Sequence, residues 1–223
     1  MTATAAFFRL EGVLAKHGTL ALTAYFSANG AGLRESIGRL ARVALTAPMW
    51  PVLGQTDRTT MTRASYVALR GMSEDRVEFL ADEYWSGTME GGLLESGLEM
   101  VRRARRDGHR IVIVSELIEP VARRILDVVP GVDALMCNHL EFRNGNATGR
   151  LLDPLVGGHE TARQIAEWAQ EHGVDLSRSM ACGAFGTDVL LLSSVGHPCA
   201  VNPDYALRRA AEGAEWPLMV FDA

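Results

Sequence analysis

Arg110-Ile111-Val112-Ile113-Val114-Ser115 is the stretch on which the fold turns. It is β-branched and apolar on both faces, the pattern of a strand buried inside a parallel sheet rather than one half open to water. A second short run, Ala5-Ala6-Phe7-Phe8, stops at Gly12 in the same manner. Almost a hundred residues of helical character separate the two. Beyond Ser115 the elements alternate regularly: a helix over about Pro120 to Val128, a strand over Asp133 to Cys137, and a hairpin turn around Asn144-Gly145-Asn146. A helix over about Glu160 to His172 follows, then a strand over Ser179 to Gly183 and a helix from about Asp188. Short strands at Cys199-Ala200-Val201 and Pro217 to Phe221 flank a last helix begun by Asn202-Pro203-Asp204.

This rhythm predicts an α/β fold with a doubly wound parallel sheet and right-handed crossovers. Ligands in such sheets bind outside the carboxyl ends of the strands, so the loops after Phe8, Val114 and Cys182 are the ones to inspect. The long helical stretch reads as an insertion after the first strand. Residues 1–16 and 90–223 are then the core and 17–89 an α-helical cap. Within it, Ala41 to Trp50 is strongly apolar and is expected inside the cap bundle; the other reading is a patch around Val43 to Leu53 that meets a partner or a membrane surface.

Composition narrows the function classes. The chain has 223 residues, and 22 basic against 27 acidic side chains leave a formal charge of −5, which disfavours binding to nucleic-acid phosphates. An apolar share of 48% excludes a disordered chain. Cys137, Cys182 and Cys199 show no metal-ligand spacing and read as small buried residues. The N-terminal stretch lacks a basic lead-in, and no apolar run is long enough to span a bilayer, so a cytoplasmic setting is expected.

The strand-end loops, taken in order, resemble the haloacid dehalogenase superfamily, and within it the phosphoserine-phosphatase-like branch. Phe7-Phe8-Arg9-Leu10-Glu11-Gly12-Val13-Leu14 is similar to the family's first motif, F-F-D-x-D-G-T-L. Ile113-Val114-Ser115 resembles the second, an apolar strand ending in Ser or Thr, and Gly158-His159-Glu160-Thr161-Ala162 falls where G-x-x-K-A belongs. Gly183-Ala184-Phe185-Gly186-Thr187-Asp188 stands at the fourth, G-D-S-x-x-D. The resemblance implies a Rossmannoid core with a helical cap.

It also implies a chemistry that these residues do not supply. In the family the first Asp attacks phosphorus, the second is general acid and base, and Mg²⁺ is held mainly by the first Asp, a backbone carbonyl and the motif-four Asp. Here Arg9 stands at the nucleophile, Glu11 at the acid/base, Ala184 at the metal ligand and Thr161 at the lysine; Ser115 and Asp188 remain. A guanidinium cannot form an acyl phosphate. The family's four carboxylates and one lysine need a magnesium ion to approach neutrality, whereas Arg9, Glu11 and Asp188 reach one net negative charge without a metal. Arg9 is therefore expected to pair with Asp188 or Glu11 in the space of the metal.

Each of these residues has a structural and a functional reading. Arg9 either replaces the metal in a salt bridge or, with Ser115 and His159, holds an anion. Asp188 near a helix start is favoured by the dipole alone. Arg102-Arg103-Arg105-Arg106 is either a solvated helix face or a patch for an acidic partner. The expectation is a catalytically inactive phosphatase homologue with no cofactor and no nucleic-acid partner. It would act by binding a protein or a phosphorylated small molecule; a divergent Mg²⁺-dependent phosphomonoesterase is the alternative.

Overall fold

The computed structural model describes residues 2–29 and 58–221. The apolar stretch Ala41 to Trp50, with its two readings, lies outside the described residues. The core strands are β1 (Ala5–Arg9), β2 (Arg110–Ile118), β3 (Ala134–Arg143), β4 (Asn146–Leu152), β5 (Met180–Gly183), β6 (His197–Val201) and β7 (Leu218–Met219). They form one sheet in the order β4-β3-β2-β1-β5-β6-β7, parallel throughout except for the β3–β4 hairpin. The turn of that hairpin is Asn144-Gly145, both at positive φ, as the turn chemistry of the pair predicts.

The strand β1 is buried along its whole length because both its faces are covered. Ala6 and Phe8 point into one apolar cluster and Ala5 and Phe7 into the other, as the period of two requires. Helix α7 (Gly158–Glu171) covers the second face with Ile165, and its Trp168 meets Phe7 edge-on at 6.0 Å. Helices α8 (Val189–Ser193) and α9 (Tyr205–Gly213) complete that layer with Leu191, Leu192, Leu207 and Ala211. The opposite face carries α4 (Glu95–Arg106) through Leu98, Val101 and Ala104.

Between β1 and α4 the described chain is helical: α1 (Thr19–Asn29), α2 (Arg58–Tyr66), α3 (Glu74–Tyr84), then π and 3₁₀ turns to Gly92. Helix α1 packs on α2 and α3, and Tyr25, Phe26 and Tyr84 form an aromatic cluster between them.

Some element boundaries depart from the sequence pattern. The second strand does not end at Ser115 but continues to Ile118 through a register shift against β3. There the backbone N–H groups of Glu116 and Leu117 turn away to donate to Glu11. The helix expected over Pro120 to Val128 is two short ones, α5 (Glu119–Ala122) and α6 (Ile125–Val128). The break falls at Arg123-Arg124, whose guanidinium groups pair with Glu78 and Asp82 on α3. The third strand runs well beyond Cys137, and the last is only two residues long.

A close approach sets the loop after β1. A Cβ built on Gly97 of α4 would stand 2.0 Å from the carbonyl oxygen of Val13. Gly97→Ala should therefore destabilise the chain by about 1–3 kcal/mol, since overpacking against backbone outweighs the roughly 1 kcal/mol gained in helix propensity. Chemical denaturation of the variant measures this, and an unchanged or raised stability would contradict the packing.

Candidate functional site

The ends of β1, β2 and β5 meet where the chain order reverses across the sheet, the place at which open α/β sheets build sites. Arg9 is the last residue of β1 and is 1% exposed. Its guanidinium lies among three carboxylates: Nε is 3.2 Å from Glu11 Oε2, one terminal nitrogen 2.5 Å from Glu116 Oε1, and the other 3.3 Å from Asp188 Oδ1. The ring of Phe185 lies 5.6 Å from the guanidinium carbon, within cation–π reach.

Each carboxylate is itself held. Glu11 Oε1 accepts from Ser115 Oγ (2.8 Å), from the N–H of Glu116 (2.8 Å) and from that of Leu117 (3.1 Å). Asp188 Oδ2 accepts from the N–H groups of Ala184 and Phe185 at 2.9 and 3.0 Å. Glu116 Oε2 accepts from Thr62 Oγ1 of α2 at 3.3 Å. The Glu116 carbonyl accepts from Tyr66 of α2 at 3.3 Å and from Asn138 Nδ2 at 2.7 Å. The helix above the sheet is thus tied directly to the ion cluster.

Burial works against charge on Arg9, but Asp188, Glu116 and Glu11 together outweigh it, so the guanidinium is held charged more firmly than in water. For Glu11 burial dominates. It raises the carboxyl above its ordinary range, with Arg9 opposing the rise and Glu116 adding to it. Burial and the charges of Glu11 and Glu116 likewise raise the Tyr66 phenol.

The expected pairing of Arg9 with Asp188 or Glu11 is thus present, with both acids at once, and the charge count is not. Glu116 adds a third carboxylate, so the cluster carries two net negative charges if all are ionised, one more than Arg9, Glu11 and Asp188 alone imply. Glu116 had a sequence signal: it is the lone charge in Ile113-Val114-Ser115-Glu116-Leu117-Ile118, and a carboxylate in a buried strand must find a partner. Thr62, Tyr66 and Asn138 had none.

The remaining positions are placed apart. Thr161 is buried, and its Oγ1 accepts from the Gly157 N–H at 2.6 Å, which orders the start of α7. No lysine can stand in for the one absent there, since the chain's sole lysine is Lys16, which is exposed. His159 is exposed and lines a cleft of about 420 Å³ between α2 and the start of α7, with Thr60, Arg63, Asp153, Leu155 and Thr187. Arg9 and Ser115 lie in the sealed cluster, so the three residues suggested for one anion site do not form one.

These residues do not fit a magnesium ion. The guanidinium already lies among the carboxylates, and Ala184 offers a methyl group. A Cβ on Gly12, which sits at φ +81°, would lie 2.5 Å from that methyl, so the loops are closed on each other. Among the described residues no group of three or more His, Cys, Asp or Glu is arranged to hold a metal.

The arginine run of α4 is engaged locally. Arg102 pairs with Glu95 and Glu99, Arg106 with Glu99, Arg103 with Asp107, and Arg105 donates to the carbonyls of Pro130 and Gly131. No described helix is long and apolar enough to cross a membrane.

Comparison with known proteins agrees with the architecture. The family model for haloacid dehalogenase-like hydrolases matches residues 17–192. The chain belongs to the haloacid dehalogenase-like hydrolase family. A relative from Streptomyces azureus, called inhibition of morphological differentiation protein, is 30% identical over 98% of this chain and 78% of its own. A probable phosphatase of Mycobacterium tuberculosis is 27% identical over 98% of this chain and 75% of its own. A phosphoserine phosphatase captured as a phospho-aspartyl intermediate analogue superposes with a TM-score of 0.74 at 15% identity, covering 99% of this chain and 94% of that one. This haloacid dehalogenase-like chain therefore has the fold of the phosphoserine-phosphatase-like branch, with helices inserted after β1 as the sequence pattern predicts.

Proposed function

We propose that this family member turns over no phosphoester and works as a binding protein in regulation or scaffolding, its partner a protein or a phosphorylated small molecule. One observation carries the reading: a buried guanidinium stands where the fold's chemistry needs a nucleophilic carboxylate, and it is ion-paired to Glu11, Glu116 and Asp188. Glu11 retains an acid/base type of side chain, yet it is buried and its Oε1 takes three hydrogen bonds from Ser115, Glu116 and Leu117. The Streptomyces azureus relative is named for an effect on differentiation rather than for a substrate, which supports a regulatory role here.

A second reading, a divergent Mg²⁺-dependent phosphomonoesterase, draws support from the relative named a probable phosphatase and from the retained Ser115 and Asp188.

A Mg²⁺-supplemented assay over a broad phosphomonoester panel separates the two. The intact chain is expected to stay at background beside an Arg9→Asp, Glu11→Asp, Thr161→Lys, Ala184→Asp variant, in which the family set is restored and turnover is expected to emerge. Wild-type turnover that Glu11→Ala abolishes would establish the esterase instead.

A further inference from the structure

Cys182 and Cys199 are far apart in sequence and directly opposed in the sheet. In the parallel β5–β6 pair they are in register. Both side chains enter the same apolar cluster, whereas their neighbours Ala181 and Ala200 enter the other. Adjacent strands run about 4.7–4.9 Å apart, inside the roughly 4.4–6.8 Å Cα separation that a disulfide bridges. Both thiols are free, and the third, Cys137, lies on β3, three strands away from β5.

We infer that Cys182 and Cys199 form a redox pair, oxidised by a peroxide to a reversible cross-strand disulfide. The thiolate of Cys199, at 8% exposure the more accessible of the two, attacks one peroxide oxygen, giving a sulfenic acid and releasing hydroxide. The Cys182 sulfur then displaces hydroxide from that sulfenic sulfur, forming the S–S bond. With the thiol protons taken up by the two hydroxides, two thiols lose two electrons and two protons while one peroxide becomes two waters. Hydrogen bonding between the two thiols supports the assignment of roles: it holds the Cys199 thiol below its ordinary value and pushes the Cys182 thiol above it. By contrast, burial raises the Cys137 thiol to about 12, which leaves it unreactive.

The pair is wired to the ion cluster. Cys182 is in register with Phe8, the residue before Arg9. It also precedes Gly183, where a Cβ would stand 2.7 Å from Asp188 Cβ, and Ala184, whose N–H holds Asp188. A bond between them fixes β5 against β6 at the strand end that positions Asp188 against Arg9. The inference holds whether or not the cluster turns over phosphoesters.

The intact chain is to be treated with excess hydrogen peroxide, unfolded, alkylated and weighed, with cysteine peptides then mapped. The expected product carries a single alkyl group, on Cys137, is otherwise about 2 Da lighter by the two hydrogens of the pair, links the peptides carrying Cys182 and Cys199, and reverts with dithiothreitol. Cys137→Ala should form it and Cys199→Ala should not. Folded wild-type chain that keeps three alkylatable thiols, goes directly to sulfinic or sulfonic acids, or links through Cys137 would overturn the inference. Coupling to the cluster should make the shift in thermal midpoint on oxidation differ between the wild type and Arg9→Ala, and equal shifts in the two would overturn that coupling.

Discussion

Arg9→Ala should cost about 3–5 kcal/mol of folding stability near neutral pH, the range for removing one partner from a buried ionic network. The substitution leaves Glu11, Glu116 and Asp188 buried with no cation among them. The size of the effect reflects what is left behind rather than what the salt bridges contribute on balance. The pH dependence supplies a second signature. In the wild type the Glu11 carboxyl is already above its ordinary range, chiefly through burial. A group whose pKa is raised on folding favours the folded state below the unfolded value and loses that contribution as pH rises through the folded value. Without Arg9, which opposes that rise, the Glu11 carboxyl is raised further, so the deficit of the variant should be small near pH ~5 and full above neutrality. Urea denaturation of both proteins at the two pH values measures it. Arg9→Lys should fall between them, because an ammonium cannot present separate donors to three carboxylates as the planar fork does. A loss under about 1 kcal/mol for Arg9→Ala, equal at both pH values, would be that of an ordinary surface change and would refute the account of the cluster.

The second large effect concerns the cation itself. Millimolar MgCl₂ should leave the thermal midpoint of the wild type where NaCl of equal ionic strength leaves it. An Arg9→Asp, Ala184→Asp variant replaces the guanidinium with a carboxylate and adds the oxygen ligand missing at Ala184, so without metal it gathers five carboxylates and should be the least stable form. Magnesium at about 100 times its dissociation constant would then restore roughly 2.7 kcal/mol. For a domain of this size that is a rise of about 5–10 °C. Stabilisation of the wild type by Mg²⁺ to the same extent would show that Arg9 does not exclude the ion; a folded variant indifferent to Mg²⁺ would show that the pocket has lost more than its ligands.

The fold was legible because its signals are local. A both-face apolar run such as Ile111 to Val114 has few alternatives to a buried parallel strand, and Asn144-Gly145 specifies its turn through positive φ at two adjacent residues. The order of the motif-bearing loops was legible as well, since each follows a strand directly. Boundaries were less so: the continuation of β2 past Ser115 depends on Glu11, more than a hundred residues away, accepting its backbone N–H groups.

The identity of residue 9 already told from the chain alone that a permanent cation seeking carboxylates stands at the motif position of the family's first Asp. How many carboxylates it finds is a matter of distance between remote segments. Glu116 enters the cluster because the strand end turns it toward Arg9, and Thr62 and Tyr66 reach it because α2 lies across that end. The opposition of Cys182 and Cys199 depends on strand order and register, which residue spacing does not encode. Local pattern selects elements and residue chemistry, whereas charge balance and side-chain pairing in a buried site are set by the three-dimensional neighbours that share its low dielectric.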